Sequence, residues 1–446
     1  MGKDWLGRPA ADLGRGIGDG SIHAVELLEA HLDAIAHHPE AARIYARTTA
    51  NRARAEAMAA HGRARAGLRR GPLDGVPVSW KDLIDTAGVA TEAGSALLAG
   101  RTPTRDAVVL TRATRAGLVC LGKTHMSELA FSGLGLNPVT ATPPNVNDPG
   151  AVPGGSSSGA AASVAFGLAA AAVGSDTGGS VRIPAAWNDL VGLKTTHGRL
   201  ALEGAVPLCD RFDTIGPLCR TVEDCAQMLA ALEGGRAADL AGATLPGARI
   251  AVLETLALDD LRPAPARGFD DALARLARGG ARLHRLAVPE VAEAMGLAGL
   301  LFTAEAWGIW RDTIETAPHK MFARILERFR TGADARAADY VAGWRRLDAI
   351  RTVWRAALAG YDAVALPTSA ILPPDRERLL TDSTYYVGEN LLALRNTRIS
   401  NLMDGCALTL PTGTPSCGIM LLALPGGEER LLRLGIAAEA ALCAGG

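Results

Sequence analysis

The sequence predicts an α/β protein, in which short apolar strands alternate with amphipathic helices. Apolar runs bounded by turn residues, as at residues 76–84 and 361–368, are typical of buried strands. Residues 340–358 instead repeat apolar side chains at helical spacing, with several arginines opposite. The chain has 446 residues, of which 48% are hydrophobic, so it can bury a large core. Length alone would permit two or three domains.

The N-terminal part, residues 1–70, is predicted to be helical. Ser21 is the expected N-cap of a helix over residues 21–37. The apolar stripe of that helix would consist of Val25, Leu27, Leu28, Leu32 and Ile35. A second helix is expected over residues 41–66. We expect both helices to pack on the outside of the core.

A buried strand is predicted next, at residues 76–84, and it contains Lys81. Of the 46 basic residues only five are lysines, which leaves 41 arginines, and three of the lysines lie within residues 81–194. A guanidinium keeps its proton at working pH, whereas a buried ammonium can lose it. Lys81 is therefore a candidate proton acceptor.

Two Ser/Gly-rich loops follow, at residues 154–159 (GGSSSG) and 175–180 (SDTGGS). The apolar run between them, residues 160–173, has 14 residues and is too short to span a bilayer. A core helix followed by a strand is expected there.

The second loop has the features of a nucleophile site. Gly178 and Gly179 let the backbone turn tightly and direct consecutive N–H groups to one point, as an oxyanion hole requires. Pro184 suits the first turn of a helix, so Ser180 is expected near a helix N-terminus. Ser180 is the candidate nucleophile, and it needs a neighbouring base.

Beyond these loops the pattern continues to alternate. A helix is predicted from residue 224 to about 232, and a strand near residues 250–253. Helices with Ala/Arg/Leu periodicity extend to about residue 280. The helix at 340–358 is expected to bury Val341, Trp344, Leu347, Ile350, Val353, Trp354 and Leu358.

Taken together, these motifs resemble the amidase signature family, the Ser-Ser-Lys amidohydrolases. The resemblance is strong over residues 73–224 and weaker elsewhere. The stretches that carry it are the Lys81 strand and the segments at 122–128 (GKTHMSE), 152–157 (VPGGSS), 175–184 and 192–195 (GLKT). The order of several separate motifs makes the resemblance specific.

The resemblance implies a single large domain over residues 1–446, with a central mixed β-sheet covered by helices on both faces. Residues 72–225 would form the signature core, and 226–370 would add helices and strands. Residues 371–446 would complete the core.

The resemblance also implies the catalytic roles. Ser180 would be the acyl-forming nucleophile, Ser156 the bridging serine and Lys81 the terminal base, with a cis peptide bond before Ser156. Thr177, Gly178 and Gly179 would contact the substrate through backbone N–H groups that stabilise the oxyanion. Asp176 and Arg182 would brace the loop through a charge-assisted pair.

Other interpretations of the serine loops are weaker. Residues 155–159 also match GxSxG, a nucleophile elbow with Ser157 attacking. That motif requires a strand immediately before it, whereas residues 142–150 are rich in Pro, Asn and Gly. A phosphate-binding function of these loops lacks support, because no Gly-Lys-Ser/Thr follows either loop and no GxGxxG is present.

The implied function is cleavage of a small-molecule carboxamide by an amidase. The alternative is the catalytic A subunit of a glutamine-dependent amidotransferase, which works with partner subunits. A catalytically inactive scaffold is a third reading. The acyl group, the leaving amine and the charge of the substrate are left open.

Composition restricts partners and location. A net charge of −1 gives no bulk attraction to nucleic acid or to anionic membranes. Seven scattered cysteines without CxxC spacing indicate free thiols in a reducing compartment. Residues 1–20 show no secretory signal pattern, so a cytoplasmic location is expected. No metal motif or cofactor is predicted, and we leave open whether the chain forms a homodimer.

Overall fold

Eleven strands form one mixed sheet in the computed structural model, which describes residues 5–444. The strand order is β1-β3-β2-β4-β6-β5-β10-β11-β9-β7-β8. The strands are β1 Tyr45–Thr48, β2 Pro77–Lys81, β3 Val119–Thr124, β4 Ala171–Ser175, β5 Val191–Lys194, β6 Ile215–Cys219, β7 Arg249–Leu253, β8 Arg282–Leu286, β9 Ala363–Pro367, β10 Cys406–Pro411 and β11 Gly418–Ala423.

Fifteen α-helices accompany this sheet within the described residues. They are α1 Ala10–Asp19, α2 Ala24–His37, α3 Ala41–Ile44, α4 Ala50–Arg65, α5 Val108–Arg115, α6 Ser158–Ala165, α7 Arg182–Trp187, α8 Val222–Glu233, α9 Pro263–Arg278, α10 Glu290–Thr316, α11 Ala323–Arg330, α12 Ala337–Ala357, α13 Arg376–Thr381, α14 Ser383–Leu402 and α15 Glu428–Cys443. No helix among residues 5–444 combines the length and the apolar character needed to cross a bilayer.

The sheet combines parallel and antiparallel pairs. β2 runs parallel to β3 and β4, and β7 runs parallel to β8 and β9. β10 and β11, from the C-terminal part, lie between β5 and β9 and pair antiparallel with them. The end of the chain therefore fills the interior of the sheet, which confirms the predicted mixed sheet in one domain.

Helices cover both faces of the sheet, as β10 illustrates. A Cβ added at Gly435 of α15 would lie 2.3 Å from Leu408 Cδ2, so Leu408 packs on that helix. The next residue, Thr409, pairs with Gly192 of β5, where an added Cβ would lie 2.7 Å from Ala185 in α7. Successive strand side chains point to opposite faces, so α15 and α7 lie on opposite sides.

The predicted helix over residues 41–66 is wrong at residues 45–49, which separate α3 from α4. α3 ends at Ile44, and Tyr45–Thr48 forms the edge strand β1, paired antiparallel with β3. The Tyr45 hydroxyl donates to Leu168 O at 3.0 Å. Aromatic and β-branched residues favour a strand beside an available sheet edge, which overrides the helical pattern around them.

The first predicted helix also begins later than expected. α2 starts at Ala24, and the ring of its N-cap residue, His23, accepts from Val25 N. Ser21 instead belongs to the turn after α1, a helix that the sequence pattern did not predict. Ser21 N donates to Asp19 Oδ1 at 2.9 Å, as is usual for a short acidic side chain in a turn.

The remaining elements lie close to their predicted positions, although the apolar stripe on α12 is narrower than predicted. Trp344, Leu347, Ile350, Trp354 and Leu358 are buried, whereas Val341 and Val353 are exposed. An apolar residue can stand alone on the surface at little cost, so periodicity overestimates the buried face.

Candidate active site

Two neighbouring parallel strands bring Lys81 and Ser175 together. β2 ends at Lys81 and β4 ends at Ser175, with Trp80 paired to Val173. Because parallel strands have their carboxyl ends at the same edge, the two side chains meet there. Lys81 Nζ lies 2.8 Å from Ser175 Oγ and 2.7 Å from Ser156 Oγ.

The amine of Lys81 is fully buried and has no carboxylate partner among the described residues. Burial lowers its pKa to about 7, although the more distant charges of Asp176 and Asp213 act in the opposite direction. A large share of Lys81 is therefore neutral at physiological pH and able to accept a proton.

The loop that carries Ser156 is fixed by backbone contacts. Gly155 N donates to Gly133 O at 2.8 Å, and Ser156 O accepts from Ser127 N at 3.1 Å. A Cβ added at Gly155 would lie 2.6 Å from Gly135 N, so only glycine fits at that position. The peptide bond between Gly155 and Ser156 is cis.

The loop that carries Ser180 lies against the first loop and precedes α7. Ser157 N donates to Ser180 O at 3.1 Å, which places Ser156 and Ser180 on adjoining loops. The Ser180 hydroxyl forms no hydrogen bond with another described residue. It faces a small pocket lined also by Thr177 and Gly178.

Three of the four backbone N–H groups in this loop are free within the described part of the chain. Gly179 N donates to Asp176 Oδ1 at 2.8 Å, whereas Thr177, Gly178 and Ser180 donate their N–H groups to no described residue. The Gly179 N–H, which was expected to contact the substrate, is thus already bound to Asp176, and the other three N–H groups have no acceptor in the described chain.

Asp176 and Arg182 form a bidentate ion pair beneath the loop. Arg182 Nη2 and Nε lie 2.8 and 2.9 Å from the two Asp176 carboxylate oxygens, and both side chains are fully buried. Burial alone would raise the pKa of Asp176, but the Arg182 guanidinium more than offsets this and lowers it well below the usual range. Arg182 also donates to Thr397 O and Ser400 Oγ in α14, which ties the loop to that helix.

Two further polar residues at the site were not predicted from the sequence. Ser175 was expected only as part of a loop, although its place at the end of β4 next to β2 could have indicated contact with Lys81. Asp213 accepts a hydrogen bond from Thr177 Oγ1 and from the Leu208 and Cys209 N–H groups. Burial raises the pKa of Asp213 to about 6.

Ser157, the rival nucleophile, is turned away from the pocket. Its hydroxyl donates to Ser175 O at 3.2 Å and accepts from Ser175 N at 3.3 Å. Ser157 is also preceded by a loop and not by a strand. The geometry required of a nucleophile elbow is therefore absent from this part of the described chain.

The pocket in front of Ser180 combines apolar walls with two arginines. Its remaining lining residues are Ala130, Phe131, Ser132, Leu208, Phe302, Arg328, Leu394 and Arg398.

Within residues 5–444, no group of three or more His, Cys, Asp and Glu side chains converges as a metal site would require.

Comparison with known proteins gives a consistent result. The model of the family described as Amidase matches residues 26–432. The chain is 35% identical to the 2-amino-5-chloromuconic acid deaminase of Comamonas testosteroni over 87% of this chain and 86% of that protein. It is 32% identical to the glutamyl-tRNA(Gln) amidotransferase A subunit of Anaeromyxobacter dehalogenans (strain 2CP-C), over 96% and 95% of the two chains. The peptide amidase PAM, solved with the competitive inhibitor chymostatin, superposes with a TM-score of 0.83 at 27% identity, over 98% of each chain.

Proposed function

The chain belongs to the Amidase family and is an amide hydrolase, and from this premise we propose that it cleaves a small-molecule carboxamide through a relay of Ser180, Ser156 and Lys81. The observation that carries the proposal is the buried Lys81 amine, 2.7 Å from Ser156 Oγ and without a counter-ion among residues 5–444. Such an amine is a base, because no fixed anion stabilises its protonated form.

In the proposed mechanism, neutral Lys81 accepts the proton of Ser156 while Ser156 accepts that of Ser180. The Ser180 oxygen attacks the carbonyl carbon, and the tetrahedral oxyanion binds the free N–H groups of Thr177, Gly178 and Ser180. One such donor typically contributes about 3–4 kcal/mol to lowering the barrier. The relay then returns a proton to the leaving amine, and water hydrolyses the acyl-enzyme by the same route.

Ser175, Asp176 and Arg182 act as positioning residues in this proposal. Ser175 holds the Lys81 amine through a second hydrogen bond, and the Asp176–Arg182 pair fixes the loop that carries Ser180. None of the three exchanges a proton with the substrate.

Labelling with a fluorophosphonate, followed by peptide mass spectrometry, tests the nucleophile. We expect the adduct on Ser180 and its loss in Ser180→Ala, together with loss of ammonia or amine release from an amide panel. Lys81→Arg should be nearly as inactive as Lys81→Ala, because the relay needs a proton acceptor. Ser158→Ala, in the other serine loop, is the control and should remain active. An adduct on Ser157, or substantial activity in Lys81→Arg, would refute the assignment.

The second candidate is an amidotransferase A subunit, favoured by the near full-length match to such a protein. The two candidates differ in whether the isolated chain is active. We propose the stand-alone enzyme, so the purified chain should release ammonia or amine by itself. Glutaminase activity that appears only with partner subunits would favour the alternative.

We also propose a cytoplasmic location. Cys120, Cys209, Cys219, Cys225, Cys406 and Cys417 are buried free thiols and Cys443 is an exposed one, which fits a reducing compartment. Whether the enzyme is a homodimer can be measured by light scattering.

A further inference from the structure

Two arginines from different helices face the pocket that contains Ser180. Arg328 comes from α11 and Arg398 from α14, and both line this pocket together with Gly178. Arg398 runs alongside the nucleophile loop, since a Cβ added at Gly178 would lie 3.5 Å from Arg398 Cγ and 3.8 Å from Nε. Both guanidiniums therefore lie beside the place where an amide must bind.

Within the described residues, neither arginine has an anionic partner. Arg328 makes one hydrogen bond, from Nη1 to Phe131 O at 2.8 Å, and Arg398 makes none. Burial lowers the pKa of Arg328 to about 10, and burial together with repulsion from Arg328 lowers that of Arg398 to about 9. Both remain protonated at neutral pH, so the pocket holds two uncompensated positive charges.

The nearby acidic groups are engaged elsewhere. Glu128 accepts from Ser95 Oγ at 2.7 Å and from Phe322 N at 2.9 Å, and burial raises its pKa to about 7. Asp213 is held by Thr177 and two backbone N–H groups. Arg182, which is fully buried, is paired with Asp176, whereas Arg328 and Arg398 are partly exposed at the pocket and have no anion of the described chain beside them. An anionic group of a bound ligand would supply that partner.

Resting on the proposed function, we infer that the substrate is an amide that also carries a carboxylate, which Arg328 and Arg398 bind while Ser180 attacks the amide carbonyl. The N–H groups of a guanidinium match the two oxygens of a carboxylate. Two arginines from different helices would both neutralise the substrate carboxylate and fix its orientation. The apolar residues Phe131, Leu208, Phe302 and Leu394 would enclose the carbon chain between the carboxylate and the amide.

Binding to Ser180→Ala tests this inference without turnover. Calorimetry would compare malonamate, succinamate and glutaramate with malonamide, succinamide and glutaramide, their neutral partners of equal length. A second pair, N-acetylglycine and N-acetylglycinamide, places the carboxylate on the amine side of the scissile bond. We expect at least one acid to bind about 10- to 100-fold more tightly than its neutral partner, the range expected for hydrogen bonds between charged groups.

Arginine variants in the same Ser180→Ala background test whether Arg328 and Arg398 cause the tighter binding of the acid. Arg398→Gln and Arg328→Gln should each abolish most of the preference for the acid, and Arg398→Lys should restore part of it. Arg330→Gln is the matched control on α11, because Arg330 pairs with Glu315 on the surface and should leave binding unchanged. Equal binding of acids and neutral partners, or a preference that survives Arg398→Gln and Arg328→Gln, overturns the inference. Either outcome leaves the Ser180 labelling result untouched, so the two proposals fail independently.

Discussion

At the residue scale, Lys81 differs from the other two buried lysines in its hydrogen-bond partners. Lys123 Nζ lies 3.3 Å from Asp82 Oδ1, and Lys194 Nζ donates to the carbonyls of Thr195 and Gly405. Lys81 contacts only two serine hydroxyls. A hydroxyl can pass on a proton, whereas a carboxylate would fix the ammonium form, so only Lys81 suits a relay.

The rate should follow the titration of Lys81. Because its pKa is lowered to about 7 and the neutral amine is the base, kcat/KM should rise with pH through about 7 and then level off. Below this pKa the Lys81 amine is protonated and cannot accept the proton of Ser156, so kcat/KM falls as the pH is lowered. A pH series on the wild-type enzyme at constant ionic strength measures this limb. A midpoint near the ordinary pKa of lysine, or a kcat/KM that falls with rising pH across this range, would contradict the role of Lys81 as the base.

The buried pair Asp176–Arg182 should contribute strongly to stability. Arg182→Met leaves Asp176 as an unpaired charge, which is expected to cost about 3–5 kcal/mol of unfolding free energy. The double variant Asp176→Asn/Arg182→Met should recover part of that loss, because the uncompensated charge is gone. Urea denaturation measures both, with Arg346→Gln as a control in a surface pair that should change little. A single variant as stable as wild type would show that the pair is dispensable.

The sequence could single out Lys81, Ser156 and Ser180 as candidates because each lies in a local motif. It could not single out residues that only distant packing brings to the site. Arg328 and Arg398 are two among 41 arginines and stand in no motif. Only the folded chain reveals that they share the pocket of Ser180. The contact of Ser175 with Lys81 could be predicted only in part, because it follows from the sequence once β2 and β4 are known to pair.

At the element scale, the two glycines of the nucleophile loop are not equivalent. Gly179 has φ +139°, and a Cβ there would lie 2.1 Å from Thr397 Oγ1 in α14. A Cβ at Gly178 meets nothing closer than 3.5 Å. Both glycines contact α14, and Gly178 O accepts from Thr397 Oγ1 at 2.8 Å, but of the two positions it is Gly179 that leaves no room for a side chain.

Gly179→Ala should therefore displace the loop and reduce kcat by about 100-fold or more, the loss expected when oxyanion donors move out of place. Gly388→Ala, elsewhere in α14 and with nothing within 4 Å of the added Cβ, is the control and should retain its kcat. Steady-state kinetics on both variants, with circular dichroism to verify folding, makes the comparison. A Gly179→Ala enzyme with full kcat would mean that the loop tolerates the displacement.

Element prediction succeeded where one pattern dominated and failed where two competed. β2 and β9 are apolar runs between turns, and both lie inside their predicted ranges. Residues 41–66 contain a long helical pattern that conceals the four residues of β1. That strand exists because β3 offers a free edge, which no local pattern records.

At the scale of the whole molecule, chain order and sheet order diverge. β10 and β11 are the last strands in sequence but the seventh and eighth in the sheet, between β5 and β9. Hydrophobic periodicity predicts such strands but not which strands lie beside them. The prediction of a single domain therefore came from the family resemblance and not from periodicity. The boundaries assigned within residues 1–446 remain predictions.

The interleaved order predicts that the sheet unfolds as one unit. Leu408, buried in β10, pairs with Leu193 on one side and Leu421 on the other. Leu408→Ala should lower the free energy of unfolding by about 2–5 kcal/mol, because it removes buried methyl groups and leaves a cavity.

Hydrogen exchange of this variant in increasing urea, followed by mass spectrometry, should show β4 and β9 losing protection together, both at lower urea than in wild type. Leu391→Ala, at a half-exposed site in α14, is the control and should change stability by less than about 0.5 kcal/mol. If β9 loses protection well before β4, the C-terminal strands form a separate unit and the single domain over residues 1–446 is wrong.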